Sequence, residues 1–202
     1  MRRTNIFAMF LVVMAFITLT GRLYAAQDRI PYVINKDEHA QKLFEKAKEV
    51  LDSKLGMKFH HQMDIKLVSG KELDEIVKDS PYRGNITGLH TFKNGRHIIY
   101  MMTDVGKDDF YGTLCHEMTH SWQIENCPPD QALVLSEGLA VWVEVKALYW
   151  DGAYSLVSQI NQNLADPVYG VGYRYVQKIE DKYGEKNVLQ VMKTLKNIPP
   201  GN

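Results

Sequence analysis

Apolar residues recur every three or four positions between Asp37 and Leu55, at Ala40, Leu43, Phe44, Ala47, Val50 and Leu51, and the run stops at Gly56. That spacing predicts a helix with one buried face. Met63 to Val68 alternates in the manner of a short strand. Gly70 opens a polar helical stretch, Lys71 to Lys78, which Ser80-Pro81 stops. Ile86 to Phe92 and His97 to Met102 flank Lys93-Asn94-Gly95-Arg96, and Asn-Gly between two apolar runs predicts a hairpin.

From Asp108 the pattern changes to helical periods. A helix is expected through about Glu125 with Asp108 as its cap, broken by Pro128-Pro129. Gln131 to Trp150 follows, then Ala153 to Leu164, Tyr169 to Tyr183 and Glu185 to Leu195, punctuated by Asp151-Gly152, Asp166-Pro167 and Gly184. A small antiparallel or mixed sheet with helices, followed by a helical half, is an α+β arrangement.

The first residues, MRRTNIFAMFLVVMAFITLTGRLYAAQ, place two arginines before an uncharged apolar stretch. This is the layout of a secretory signal, with cleavage after Ala25 or Ala26, leaving one domain over 26–202. The stretch is also long enough to stay as a membrane anchor, with a buried helix as a third reading. The first two readings place the folded part outside the cytoplasm, periplasmic or extracellular, and only the anchor brings a membrane into contact with it.

Charge sharpens this picture. The chain has 24 Lys+Arg and 24 Asp+Glu. Setting aside Arg2, Arg3 and Arg22 leaves 21 basic against 24 acidic residues, a formal −3. A mildly acidic body argues against nucleic acid as a partner. Cys115 and Cys127 are twelve residues apart; on one continuous helix that is about 18 Å, beyond disulfide reach, so free thiols are expected.

The chemistry concentrates in Cys115-His116-Glu117-Met118-Thr119-His120, an HExxH motif on a predicted helix. Four residues advance a helix by about 400°, so His116 and His120 stand one turn apart on nearly the same face, where two imidazoles can hold one zinc ion. Glu117 lies between them, placed to address a water rather than to ligate. Catalytic zinc takes a third protein ligand, and Ser136-Glu137-Gly138 supplies Glu137 on the next helix, across the Pro128-Pro129 turn. Glu144, seven residues on, shares its face. In so apolar a helix, Glu144 reads as a buried salt-bridge partner, as a partly exposed residue, or as the acceptor of a hydrogen bond from a ligand imidazole.

HEMTH followed by SEGLAVWVE resembles the gluzincin pattern of zinc metallopeptidases, in which HExxH precedes an NEGFAxxxE-like helix. The resemblance implies a zincin-like fold with His116, His120 and Glu137 as ligands, Glu117 as general base and Glu144 behind the ligands. Ser136 replaces the usual Asn, the interval is shorter and no GAMEN-like motif occurs, so aminopeptidase specificity is not implied. Asp166-Pro167-Val168-Tyr169-Gly170-Val171-Gly172-Tyr173 is similar to the Tyr-x-x-Gly segment of those enzymes, which places Tyr169 on the tyrosine that stabilises the oxyanion. LCHEMTHSW, the EG-containing helix and DPVYGVGYRYVQKIEDKYG further resemble the C-terminal peptidase region of DA1-like proteins, over roughly Ile98 to Gly184. Plant members of that family carry ubiquitin-interacting and LIM modules ahead of this region and act on proteins in the ubiquitin pathway. Two cysteines cannot build a LIM domain, so that connection is not transferred.

The expected activity is zinc-dependent hydrolysis of peptide bonds in an exported peptide or protein substrate. Its rivals are a non-catalytic, zinc-containing binding or scaffold protein of the cell envelope and a membrane-attached assembly factor. Strand His97 to Met102 is a candidate edge for an extended peptide. His60-His61 reads as lacking nearby acids or cysteines for a second metal site, and His39, His90 and His97 as surface or strand-face residues. Asn85-Ile86-Thr87 fits a glycosylation acceptor.

Overall fold

The computed structural model describes residues 32–78, 86–162 and 165–199. The signal reading of the N-terminus and Asn85 of the glycosylation triplet lie outside the described residues. Asp37–Leu55 forms helix α1 with Ala40, Leu43, Phe44, Ala47 and Leu51 buried, as the period requires. Gly56 closes it with φ 70°, a left-handed conformation that glycine adopts without steric cost, and gives its N–H to Asp52.

A short strand β1, Val33–Ile34, precedes α1, and β2, Gln62–Val68, follows it. Helix α2, Gly70–Val77, starts with a capping box: Ser69 accepts from the Glu72 backbone while the Glu72 side chain returns to Ser69. Strands β3, Gly88–Lys93, and β4, Arg96–Met102, form the expected hairpin, with Asn94 and Gly95 at φ 54° and 72°. Two consecutive positive φ values turn a hairpin with the native strand twist.

The three long strands run in the order β2-β4-β3, with β2 parallel and β3 antiparallel to β4. The sheet is therefore mixed. The strand proposed as an edge, His97 to Met102, is its centre, paired on both sides; β3 carries the edge instead. The parallel pairing of β2 with β4, from Gln62↔Arg96 to Val68↔Met102, is what moves β4 inward. His97, Ile99 and Met101 point into the core from it. Strand β5, Val105–Gly106, pairs antiparallel with β1.

Helix α3, Lys107–Asn126, starts at Gly106 without a side-chain cap, so Asp108 is not the cap. Asp108 and Asp109 instead occupy the first turn, where a carboxylate favours the helix dipole. Phe110, Tyr111, Leu114, Cys115, Met118 and Trp122 bury most of its surface. Helix α4, Leu133–Asp151, is buried around much of its circumference, through Leu135, Leu139, Ala140, Trp142, Val143, Ala147 and Leu148. A helix apolar on most faces belongs at the centre of a domain. Helices α5, Tyr154–Gln162, and α6, Tyr169–Tyr183, follow.

Gly138 on α4 and Gly172 on α6 bring the two helix backbones into direct contact. A Cβ at Gly138 would sit 2.2 Å from the Gly172 carbonyl carbon, and one at Gly172 would sit 1.9 Å from the Val134 carbonyl oxygen. Only two glycines allow this approach.

The expected last helix, Glu185 to Leu195, is instead a short 3-10 turn, Glu185–Asn187, and helix α7, Val188–Met192. At its end and beyond, backbone carbonyls make tertiary bonds: Gln131 Nε2 donates to those of Met192 and Leu195, and the Ala132 N–H to that of Lys196. Both cysteines are free; Cys115 is buried in α3, and burial pushes the Cys127 thiol up to about 11. Among the described residues, no helix is long and apolar enough to cross a membrane. The architecture is α+β, a small sheet followed by a helical region.

Candidate metal centre

Helix α3 sets His116 and His120 one turn apart, with ring centroids 4.9 Å from each other. The Pro128-Pro129 turn reverses the chain and α4 returns Glu137 against them. Glu137 Oε2 lies 3.2 Å from His116 Nε2 and 3.5 Å from His120 Nε2, and one ligand atom from each of the three lies within 4.8 Å of the others. Tetrahedral ligands at bond lengths of about 2.0–2.1 Å are separated by about 3.3 Å. The donor set and its spacing therefore fit a divalent metal ion.

Electrostatics describe the same trap for positive charge. Glu137 is 3% exposed, yet its carboxyl is held down at about 2, because the bonds to His116 and His120 outweigh its burial. Burial works against protonation of His116, but the bonds to Glu137 and Glu144 and the nearby Glu117 charge raise it well above its ordinary range. A buried carboxylate between two imidazoles is the environment that a cation satisfies.

Each imidazole is oriented from behind. His116 Nδ1 is 3.2 Å from Glu144 Oε2, and His120 Nδ1 is 2.9 Å from Gln123 Oε1. Gln123 is in turn fixed by donating to the Ser136 carbonyl at 3.0 Å and accepting from the Ser136 hydroxyl at 3.1 Å. Such partners select the tautomer that leaves Nε2 free for a metal. Glu144 is thus brought to the cluster; Gln123 is an addition, visible in the sequence only as a polar residue three places after His120.

Glu117, His116, His120, Glu137 and Tyr169 line one cavity of about 170 Å³, walled on the far side by Gly88, Leu89 and His90 of β3. Gly88 lets α3 lie directly on this strand, since a Cβ there would come within 2.6 Å of Thr113 and 3.1 Å of Glu117. Burial pushes the Glu117 carboxyl up, against the pull of His116 and His120, and the His90 backbone N–H bonds to it. Tyr169, at the first turn of α6, has its ring centre 6.3 Å from that of His116. A second cavity of about 580 Å³ lies against His116 and Tyr169, with Val141, Leu156 and Ile160 among its apolar walls.

A second donor cluster changes the reading of His60-His61, and His97 joins it from the inner strand face of β4. His61, His97 and Glu125 also bring one ligand atom each within 4.8 Å. The acid missing near His60-His61 in sequence arrives from the end of α3, and His97 is fully buried rather than a surface residue. His90 stands between the clusters, its Nε2 2.8 Å from His97 Nδ1, and burial with the neighbouring His97 and His120 pushes it down to about 3.

Among the described residues, two His/His/Glu clusters able to coordinate a metal ion are therefore present, one on each side of His90. Compared with known proteins, the chain matches no family model, no curated protein and no solved structure.

Proposed function

We propose that the chain is a zinc-dependent peptidase of gluzincin type whose active centre is His116, His120 and Glu137 with Glu117 as general base. The observation that carries this reading is Glu117: a buried carboxyl beside a complete donor set, opening on the same cavity. The resemblance to gluzincins and to the DA1-like peptidase region points the same way.

When bound, zinc supplies Lewis acidity that lowers the pKa of a water and polarises a carbonyl. His116, His120 and Glu137 hold that centre, and Glu144 and Gln123 keep both rings aimed at it. Glu117 takes the proton from the attacking water and returns it to the leaving amine, a role its place on the cavity wall beside the two histidines allows. Tyr169 donates a hydrogen bond to the carbonyl oxygen as its charge develops. Edge strand β3 lies along the cavity, where an extended peptide backbone can pair with it.

The second reading is a metal-containing binding or scaffold protein without catalysis. It is favoured by the two clusters themselves, because binding an ion demands nothing of Glu117 or the cavity. Cleavage of an unbiased peptide library by the zinc-loaded protein separates the two. Zinc-dependent cleavage abolished by chelation supports the peptidase; full zinc occupancy with no cleavage of any peptide establishes the binding protein.

A further inference from the structure

We propose that His61, His97 and Glu125 form a second site for a borderline divalent transition metal such as zinc, loaded independently of the first. The inference does not rest on the peptidase reading. Its ligands come from three elements far apart in sequence: His61 just before β2, His97 in β4 and Glu125 near the end of α3.

The geometry repeats that of the first centre. Glu125 Oε1 lies 3.2 Å from His61 Nδ1 and 3.1 Å from His97 Nε2, the separations that two ligands adopt around one small tetrahedral ion. Oε1 also accepts the His61 backbone N–H at 2.9 Å, while Oε2 takes that of His60 at 2.8 Å. Three nitrogens thus converge on one oxygen, more than its two lone pairs serve well. A cation among the two rings and Oε1 relieves that crowding and leaves both backbone bonds in place.

The surroundings are also those of a ligand set. The Glu125 side chain is 2% exposed and His97 fully buried, so the carboxylate is held rigidly and shielded from water. His97 has an outer partner on its other nitrogen, His90 at 2.8 Å, as His116 has Glu144. The His61 side chain is 48% exposed, which gives the ion a path in. Two imidazoles and one carboxylate suit zinc and its transition-metal neighbours rather than calcium or magnesium, which take oxygen donors. Metal on His97 Nε2 fixes that ring's proton on Nδ1, where it donates to His90, a wall residue of the first cavity.

The test is calorimetric titration of the chelator-stripped full chain with Zn2+, with Mg2+ as the control. His61→Ala is the principal variant, since a half-exposed ring is removed and its backbone N–H is kept; Glu125→Gln is the second, retaining an acceptor oxygen. His97 is avoided because it is part of the core. Each variant is expected to bind one zinc equivalent fewer than wild type, and the equivalent that survives in His116→Ala/His120→Ala is expected to vanish when His61→Ala is added. If His61→Ala and Glu125→Gln take up as much zinc as wild type, the cluster is a hydrogen-bonded strut and the proposal is wrong. A failure of the first centre appears separately, as unchanged uptake in His116→Ala/His120→Ala.

Discussion

The two donor clusters use the same three residue types at nearly the same spacing, but they are embedded differently. The first rests on two consecutive helices, with both histidines and Glu117 inside five residues of α3. The second is gathered from β2's approach, β4 and the far end of α3, and its carboxylate is clasped by two backbone amides. Around the first lie a buried spare carboxyl, an open cavity and Tyr169. None of His61, His97 or Glu125 lines that cavity. The contrast teaches that a ligand set defines where an ion can sit, whereas chemistry depends on what else faces it: a group to take a proton, a donor for developing charge and room for a substrate.

The largest effect should therefore come from a residue that ligates nothing. On the proposed peptidase reading, Glu117→Gln keeps the shape of the side chain and removes the proposed base, so cleavage is expected to fall by about 10²- to 10⁴-fold while zinc content stays at the wild-type value. Rates measured at equal zinc occupancy check this. Wild-type speed in the variant would remove the distinction drawn between the two clusters.

The next effect concerns the charged partner behind the first centre. Glu144→Ala leaves His116 Nδ1 without its carboxylate, and loss of such a partner costs about 10- to 100-fold in metal affinity or activity. Competition with a chromophoric chelator gives the affinity. The second cluster shares no bond with Glu144, so its zinc uptake should not move; a parallel loss at both would mean that the clusters are coupled.

Gly172→Ala tests whether the first centre depends on the α4–α6 crossing. The added methyl meets the Val134 carbonyl and Gly138 Cα, both backbone, so the helices must part. Overpacking of this kind costs about 1–3 kcal/mol or more, and about 2–4 °C of Tm per kcal/mol in a chain of this size. Glu137 precedes Gly138 and Tyr169 opens α6, so affinity at the first centre should fall with Tm. The second cluster, which takes nothing from α4 or α6, should keep its ion.

These contacts also show where sequence reading stops. Helix α1, the Asn94-Gly95 hairpin and the reversal that faces Glu137 toward HExxH were legible, because each is written in local periodicity or in turn residues with a strict backbone demand. The centrality of β4 was not, since a parallel pairing with β2 skips over α2 and β3 and leaves no mark in the alternation of either strand. His61, His97 and Glu125 were missed for the same reason: their nearest sequence separation is 28 residues, and only the tertiary fold makes them neighbours. Gly138 and Gly172 stood in plain view as motif letters. Their physical role, two backbones in direct contact, is a property of a helix crossing and not of either helix.

The smallest predicted effect separates a charged outer partner from a neutral one. Gln123 does for His120 what Glu144 does for His116, but through an amide oxygen at 2.9 Å. A neutral hydrogen bond contributes about 0.5–1.5 kcal/mol, against about 1.5–3 for one involving a charge. Gln123→Ala should therefore weaken zinc at the first centre by roughly fivefold, less than Glu144→Ala. Part of that loss arises because the two bonds between Gln123 and Ser136 at the start of α4 are lost with it. Gln123→Glu is the informative companion: a carboxylate behind His120 keeps an acceptor for the ring and adds charge, so zinc affinity should recover to at least the wild-type value even though the bond to the Ser136 carbonyl is gone. If Gln123→Glu binds as weakly as Gln123→Ala, the residue serves only to tie α4 to α3, and the orientation of His120 comes from the helix and the Ser136 hydroxyl, 3.5 Å from its Nδ1.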